Sequence, residues 1–207
     1  MKPYQTLILD VDGVLIDSNG LKEANIKKAA QPFSDAEGLQ NFLSYFVGNN
    51  GIPREGKVAR FFGENSPTTQ AILRHYGQLN QNSLKEVPLT PSALAFLEHA
   101  KTLNLCILAI SGGAQEEVRE TLAHKGIDRY LDGIYGGPTS KINHLKHLKP
   151  PMPGIYIGDS VHDYEVAAEY GFDFCFMWQF TQFADWQNFF AQKPNVKMIK
   201  NLAEWPL

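Results

Sequence analysis

The run Thr6-Leu7-Ile8-Leu9-Asp10-Val11-Asp12-Gly13-Val14-Leu15 constrains this chain more than any other stretch. Apolar and β-prone residues lead straight into one acid, and a second acid follows two positions later. A short apolar run that stops at a loop reads as a buried strand of a parallel sheet. Asp10 then stands at its carboxyl end, the edge where open α/β sheets place their ligands. Gly13 lets the chain turn sharply behind the acids. Two carboxylates this close repel unless a cation or a shared proton intervenes, and a hard divalent cation suits oxygen ligands. A capping Asp followed by a turn Asp would leave the same trace, so the rest of the chain has to decide.

Strand-like runs recur at 105–110, 133–136, 154–158 and 174–178, with helical stretches at 92–102, 114–125, 140–148 and 161–170. Such alternation predicts an α/β fold, a doubly wound and mostly parallel sheet. Between Asn19 and about Glu86 the strand-like runs vanish. Helical candidates replace them at 20–30, 35–47, 54–62 and 68–76. Ser34 or Asp35 starts the second of these, with Ser34 and Glu37 spaced as a capping box. Pro53 and Pro67 open the third and fourth. The expected organisation is a core of residues 1–17 plus 88–207, with residues 18–87 inserted as a helical unit. Helix 92–102 should bury Leu94, Leu97 and Ala100. Segment 182–191 reads as a helix, and 196–207 as a short strand or turn followed by a last helical turn.

A chain of 207 residues is long enough for one core and a small insert. No apolar run approaches the ~20 residues of a membrane span. Met1-Lys2-Pro3-Tyr4 leads directly into the first strand, so no signal peptide is expected and a cytoplasmic location is. A net charge of −3 without a basic stripe argues against a nucleic-acid partner. Cys106 and Cys175 both fall in strand-like runs and read as buried, reduced thiols. Phe174, Phe176, Trp178, Phe180, Phe183, Trp186, Phe189 and Phe190 read as core packing, with a homodimer contact as the other reading; monomer and homodimer both stay open.

Four separated places share one property: a polar group sits just after a strand or at the start of the next helix. They are Asp10 with Asp12, Ser111 with Gly112-Gly113, Lys141, and Asp159 with Asp163. A parallel sheet turns all its carboxyl ends to one edge, so these groups can meet there. Each also has a plain structural reading. Asp159 can cap a helix, Asp163 can be a favourable first-turn acid, Ser111 can be an N-cap, and Lys141 can be a solvated lysine. Taken jointly, four carboxylates at one edge need positive charge, and one Mg²⁺ with one lysine would supply about +3. Such a site can hold a phosphoryl group. Asp10 is then a candidate nucleophile and Asp12 a candidate acid and base.

Asp10-Val11-Asp12-Gly13-Val14, Ser111 after a buried strand, Lys141, and Gly158-Asp159-Ser160-Val161-His162-Asp163 together resemble the haloacid dehalogenase superfamily, with its four motifs in order. The helical insert resembles the subclass with a helical cap after the first motif. The resemblance implies a Rossmann-like core with sheet order 5-4-1-2-3. The second acid of the first motif is similar to that of the phosphotransferase branch, and dehalogenases lack it. By this resemblance Asp10 is nucleophile and Mg²⁺ ligand, and Asp12 is acid/base with its backbone carbonyl on the metal. Ser111 and the Gly112 amide hold phosphate oxygens, Lys141 offsets charge on a phosphoaspartate, Asp159 completes the metal ligands, and Asp163 stands behind them. Gly51-Ile52-Pro53-Arg54-Glu55 resembles a cap segment of β-phosphoglucomutase-like relatives, whose arginine reaches the substrate; the other reading of Arg54, Lys57 and Arg60 is a solvated helix. Those relatives carry a histidine where this chain has Lys22. The implied function is a Mg²⁺-dependent phosphatase for a small phosphorylated metabolite. The alternatives are a sugar-phosphate mutase or a non-catalytic protein that binds a phosphorylated ligand.

Overall fold

A computed structural model describes residues 4–205. Residues 1–3, on which the reading of the chain's start rests, and residues 206–207 of the expected last turn lie outside the described residues.

Six parallel strands form one sheet in the order β3-β2-β1-β4-β5-β6. They are β1 Thr6–Leu9, β2 Cys106–Ala114, β3 Gly133–Gly137, β4 Gly154–Gly158, β5 Asp173–Met177 and β6 Lys197–Ile199. The first five follow the expected order, and β6 settles the segment that read as strand or turn. Every residue of β1 and β4 is buried. That is why these strands are continuous apolar runs rather than alternating ones: helices cover both faces of the sheet.

Strand alternation divides the side chains between two cores. Leu7, Leu9, Ile107, Ala109, Ile155 and Ile157 pack on one face against α5 (Ala93–Thr102) and α6 (Gln115–His124). Ile8, Leu108, Ile110, Tyr156, Phe174 and Phe176 pack on the other against α7 (Lys141–Leu148), α8 (Val161–Tyr170) and α9 (Trp186–Ala191). Of the C-terminal aromatics, Phe174, Phe176, Trp178, Trp186, Phe189 and Phe190 belong to this second core, where Phe176 and Phe190 lie 4.2 Å apart between ring centroids, while Phe180 packs against the first. Helix α5 departs from expectation, burying Ala93, Phe96, Leu97 and Ala100 while Leu94 faces solvent. The apolar stripe runs at i, i+3, i+4 and i+7, one position away from Leu94.

Between β1 and α5 come α1 (Asn19–Ala30), α2 (Ala36–Gly48), α3 (Arg54–Phe62) and α4 (Pro67–Ser83). They share a core of their own around Ile26, Phe42, Phe46, Val58, Ile72 and Tyr76. Asp35, not Ser34, caps α2, accepting from Gly38 N at 2.8 Å. Helix α4 starts at Pro67 but continues past Tyr76 to Ser83, because Asn80 still faces inward and bonds Asn25. Helix α9 is shorter than expected. The two chain crossings into this helical segment run side by side: Asp17 N donates to Pro88 O at 3.0 Å, and Thr90 N to Leu15 O at 3.0 Å. Among the described residues no helix is long and apolar enough to cross a membrane.

Cys106 on β2 and Cys175 on β5 are both free, Cys175 buried and Cys106 only partly so. Their strands stand three places apart in the sheet, about 14 Å at ~4.8 Å per step, and a disulfide needs α-carbons within about 7 Å. Native protein should therefore titrate two thiols and show the fully reduced mass; an intramolecular disulfide would overturn the strand order.

Candidate active site

The sheet reverses its winding between β1 and β4, and the carboxyl ends of these two strands carry Asp10 and Asp159. A crevice is expected at such a reversal. Asp10 is buried, and its amide continues the ladder to Ile157 O at 3.0 Å. Its Oδ1 accepts from Val11 N at 2.8 Å and from Lys141 Nζ at 2.8 Å. Among the described residues Oδ2 has no protein donor, and Asp10 lines the cavity between core and helical segment.

Lys141 opens α7 behind its cap Ser140 and is fully buried, not solvated. Besides Asp10 it holds Asp163 Oδ1 at 2.7 Å. Asp163 accepts from Tyr156 Oη on the same oxygen at 2.9 Å and from Ser160 Oγ on Oδ2 at 2.6 Å. Ser160 is the N-cap of α8, accepting from Asp163 N. That leaves Asp159 free of the capping role, and it lines the cavity, with Oδ2 accepting from Asn19 Nδ2 at 2.7 Å. Gly13 (φ 77°) permits this approach: a Cβ there would lie 2.2 Å from Asp159 Oδ2.

Asp12, like Asp163, has three side-chain donors. Its carboxylate accepts from Ser18 Oγ at 2.5 Å, Lys22 Nζ at 2.7 Å and Ser111 Oγ at 3.2 Å. Ser111 lies where β2 loses register between Ile110 and Ala114, and it does not cap α6, which begins at Gln115. Its hydroxyl also accepts from Gly113 N at 2.9 Å. Gly112 lies under the loop before α3: a Cβ on it would meet Gly51 O at 2.6 Å. Gly51 in turn lies against His162 and Ser160.

The charges explain one another. Burial, then Asp163, pushes the Asp10 carboxyl up to about 8 despite Lys141. Burial, then Asp10, pushes Asp159 well up too. Burial would also raise Asp12 and Asp163, but Lys22 with Ser18 outweighs it at Asp12, and Lys141 with Ser160 outweighs it at Asp163, so both are held low. Burial disfavours the Lys141 ammonium, yet Asp10 and Asp163 together keep it firmly charged. The site thus holds more negative charge than its own cations neutralise at Asp10 and Asp159. Asp10, Asp159 and Asp163 each place an oxygen within 4.8 Å of the others. Both oxygens of Asp163 are already used, so the donor set that fits a hard divalent cation is Asp10 with Asp159.

Arg54 reaches the cavity wall but is engaged there: Nη1 meets Glu117 Oε2 at 2.9 Å, and the guanidinium lies over the Tyr76 ring at 5.0 Å. Glu117 also faces Lys22 at 3.8 Å and accepts from Asn80 Nδ2 at 3.3 Å. The sequence reading missed this role, since a first-turn acid of α6 looks like an ordinary dipole partner. It also missed Asn19 as a partner of Asp159 and Lys57 as part of the wall.

A profile of haloacid dehalogenase-like hydrolases matches residues 7–177. A search of curated sequences gave no match. Among solved structures, a haloacid dehalogenase-like family hydrolase from Streptococcus pneumoniae is 21% identical with a TM-score of 0.71, covering 98% of this chain and 97% of that one. CbbY from Rhodobacter sphaeroides, in complex with xylulose-(1,5)bisphosphate, is 18% identical with a TM-score of 0.72, covering 97% and 96%. A predicted phosphoglycolate phosphatase from Haemophilus somnus is 17% identical with a TM-score of 0.74, covering 99% and 97%. Profile, sheet order and the four converging motifs agree, and the chain belongs to the haloacid dehalogenase-like hydrolase family.

Proposed function

We propose that the chain is a Mg²⁺-dependent phosphatase that hydrolyses a small phosphorylated metabolite through a phosphoaspartate on Asp10. The observation that carries this reading is Asp10 itself. Its Oδ1 is fixed by Lys141 and the Val11 amide, and among the described residues its Oδ2 has no protein donor, at a cavity shared with Asp12 and Asp159. Family membership and likeness to structures named as phosphatases support it.

In this reading an oxygen of Asp10 attacks phosphorus and the substrate's ester oxygen leaves, taking a proton from Asp12. Water then attacks the phosphoaspartate, Asp12 takes the water's proton, and phosphate departs with Asp10 restored. Lys22, Ser18 and Ser111 hold Asp12 ionised at rest, which is its base-ready state for the second step; the proton it gives in the first step would be the one a monoanionic phosphoryl group of the substrate brings with it. Ser111 and the Gly112 amide would hold phosphoryl oxygens, and Lys141 would offset the charge accumulated on Asp10. The Asp10 and Asp159 carboxylates and the Asp12 backbone carbonyl would hold Mg²⁺. When bound, the ion supplies positive charge that offsets the repulsion between carboxylates and phosphoryl oxygens. Asp163 acts from behind, orienting Lys141 and not the metal.

Residues 18–87 would act as a cap over the core of residues 1–17 and 88–207, hinged where the two crossings lie side by side. Arg54 enters as a wall residue that a substrate anion must win from Glu117. Two unpaired thiols fit a reducing compartment, and a cytoplasmic location forms part of this proposal.

Asp10→Asn should abolish turnover, because an amide is no nucleophile here, without lowering stability, because a neutral amide replaces a buried carboxyl whose ionised form burial and Asp163 disfavour. Phosphate release above background by the pure variant would refute the nucleophile.

Metal dependence provides two further measurements. Activity should require Mg²⁺ and fall with Ca²⁺, which takes more ligands at longer distance and can occupy both Asp10 oxygens; full activity in EDTA would end the proposal. With its pKa raised from 3.8 to about 8, chiefly by burial, Asp10 keeps a proton in the folded metal-free state that the unfolded chain has lost. Its contribution to stability is therefore full below about pH 4 and lost as pH rises toward 8. Mg²⁺ takes the proton's place, so at one fixed Mg²⁺ concentration its effect on Tm should be larger at pH 7 than at pH 5, on the order of 5–10 °C at pH 7 when that concentration is a hundredfold above the pH 7 Kd. An equal shift at both pH values would contradict this assignment.

A further inference from the structure

Among the described residues three cationic side chains line the cavity and a fourth, Lys141, stands behind Asp10; three of the four already hold carboxylates. Lys141 bridges Asp10 and Asp163, Lys22 holds Asp12, and Arg54 holds Glu117. The remaining one, Lys57 on α3, is only 4% exposed. Among the described residues it has no carboxylate within 4.0 Å. Its Nζ donates to Phe46 O at 3.1 Å and Asn49 O at 3.3 Å, and it stands 3.8 Å from the Phe46 ring centroid. An ammonium has three protons to donate. Two go to carbonyls at the end of α2, and the third has no protein acceptor among the described residues, while Lys57 lines the same cavity as Asp10, Asp12 and Gly112.

The two carbonyls account for how the position tolerates a cation, since helix C-terminal carbonyls favour one. They do not account for its burial, because a lysine can reach such carbonyls from solvent and keep its hydration. The acids that act on Lys57 at longer range are Asp12, held by Lys22, Ser18 and Ser111, and Glu55, which faces Arg54 Nε at 3.8 Å; on the cavity wall Glu117 is held by Arg54 and Asn80, and Glu23 accepts from Gln182 at 2.6 Å.

We propose that Lys57 receives a second anionic group of the substrate, so that the preferred substrates are small phosphomonoesters carrying, besides the reacting phosphoryl group, a carboxylate or a second phosphate. This rests on the phosphatase reading and adds the chemistry of the substrate's far end. It also moves that role from Arg54, which Glu117 occupies, to the cation without a carboxylate. Burial, then repulsion from Lys22 and Lys141, brings Lys57 down to about 7; an arriving anion relieves the same penalty. The small cavity, about 50 Å³, favours a short tail.

The test compares kcat/KM, with Mg²⁺, for three-carbon esters that differ only at the far end: glycerol 3-phosphate, 3-phosphoglycerate with a carboxylate, and glycerol 1,3-bisphosphate with a second phosphate. p-Nitrophenyl phosphate reports the chemistry alone. At least one doubly anionic ester should exceed glycerol 3-phosphate by about tenfold or more, and which one does so distinguishes carboxylate from phosphate. Lys57→Met, which keeps the apolar stem against Phe46, should cut that ratio at least about tenfold. A purely structural role lowers both members of a pair together and leaves the ratio in place, which would overturn the proposal. If Lys57→Met fails to fold, Lys57→Gln, whose amide still reaches the two carbonyls, carries the same ratio. Hydrolysis of p-nitrophenyl phosphate with no preference for either doubly anionic ester overturns the assignment of Lys57 and leaves the phosphatase reading standing. No hydrolysis of any ester overturns both.

Discussion

Everything at the sheet edge depends on the contact between Lys141 and the two carboxylates it bridges. Burying an ion pair costs desolvation that only good geometry and further hydrogen bonds offset. Lys141 meets both conditions: Asp10 and Asp163 lie at 2.8 and 2.7 Å, and Tyr156 and Ser160 complete Asp163. Because Ser160 also caps α8, one hydroxyl fixes the helix and the acid together. The pieces come from β1, β4, α7 and α8, so the bridge also ties both halves of the winding to one point.

The parts of this arrangement that a strand or helix boundary announces were legible in the sequence. Asp10 and Asp159 follow fully buried apolar runs, and such runs admit few readings other than central strands. Lys141 and Ser111 stood at the right edge, but only packing distinguishes a bridging lysine from a solvated one. Taken alone Asp159 read more readily as a cap, and the structure assigns that duty to its neighbour Ser160.

What stayed hidden was set by tertiary contact rather than by pattern. Glu117 carries no local mark, and its meeting with Arg54, Lys22 and Asn80 joins α6 to three helices distant in sequence. Lys57 shares a helix with Arg54 and Arg60, so its charge read as one more solvated position. The length of α4 was missed because its last turns are polar outside and held by Asn80 inside, a residue that lowers helix propensity but here finds Asn25. Leu94 failed for the opposite reason: a residue apolar enough for the core, on the wrong side of the stripe.

The paired crossings at Asp17 and Pro88 carry a consequence for how such a chain can diversify. Since the strand leaving β1 and the strand returning toward α5 are tied to each other, everything between them begins and ends at one spot. The sheet senses a closed stitch, whatever the length of the thread beyond it. Substitutions, insertions or wholesale rebuilding of the helical segment therefore leave the register of β1 against β2 and β4 undisturbed. Selectivity can drift beyond the start of α1, where Ser18, Asn19 and Lys22 hold Asp12 and Asp159, while the chemistry at the sheet edge is inherited intact.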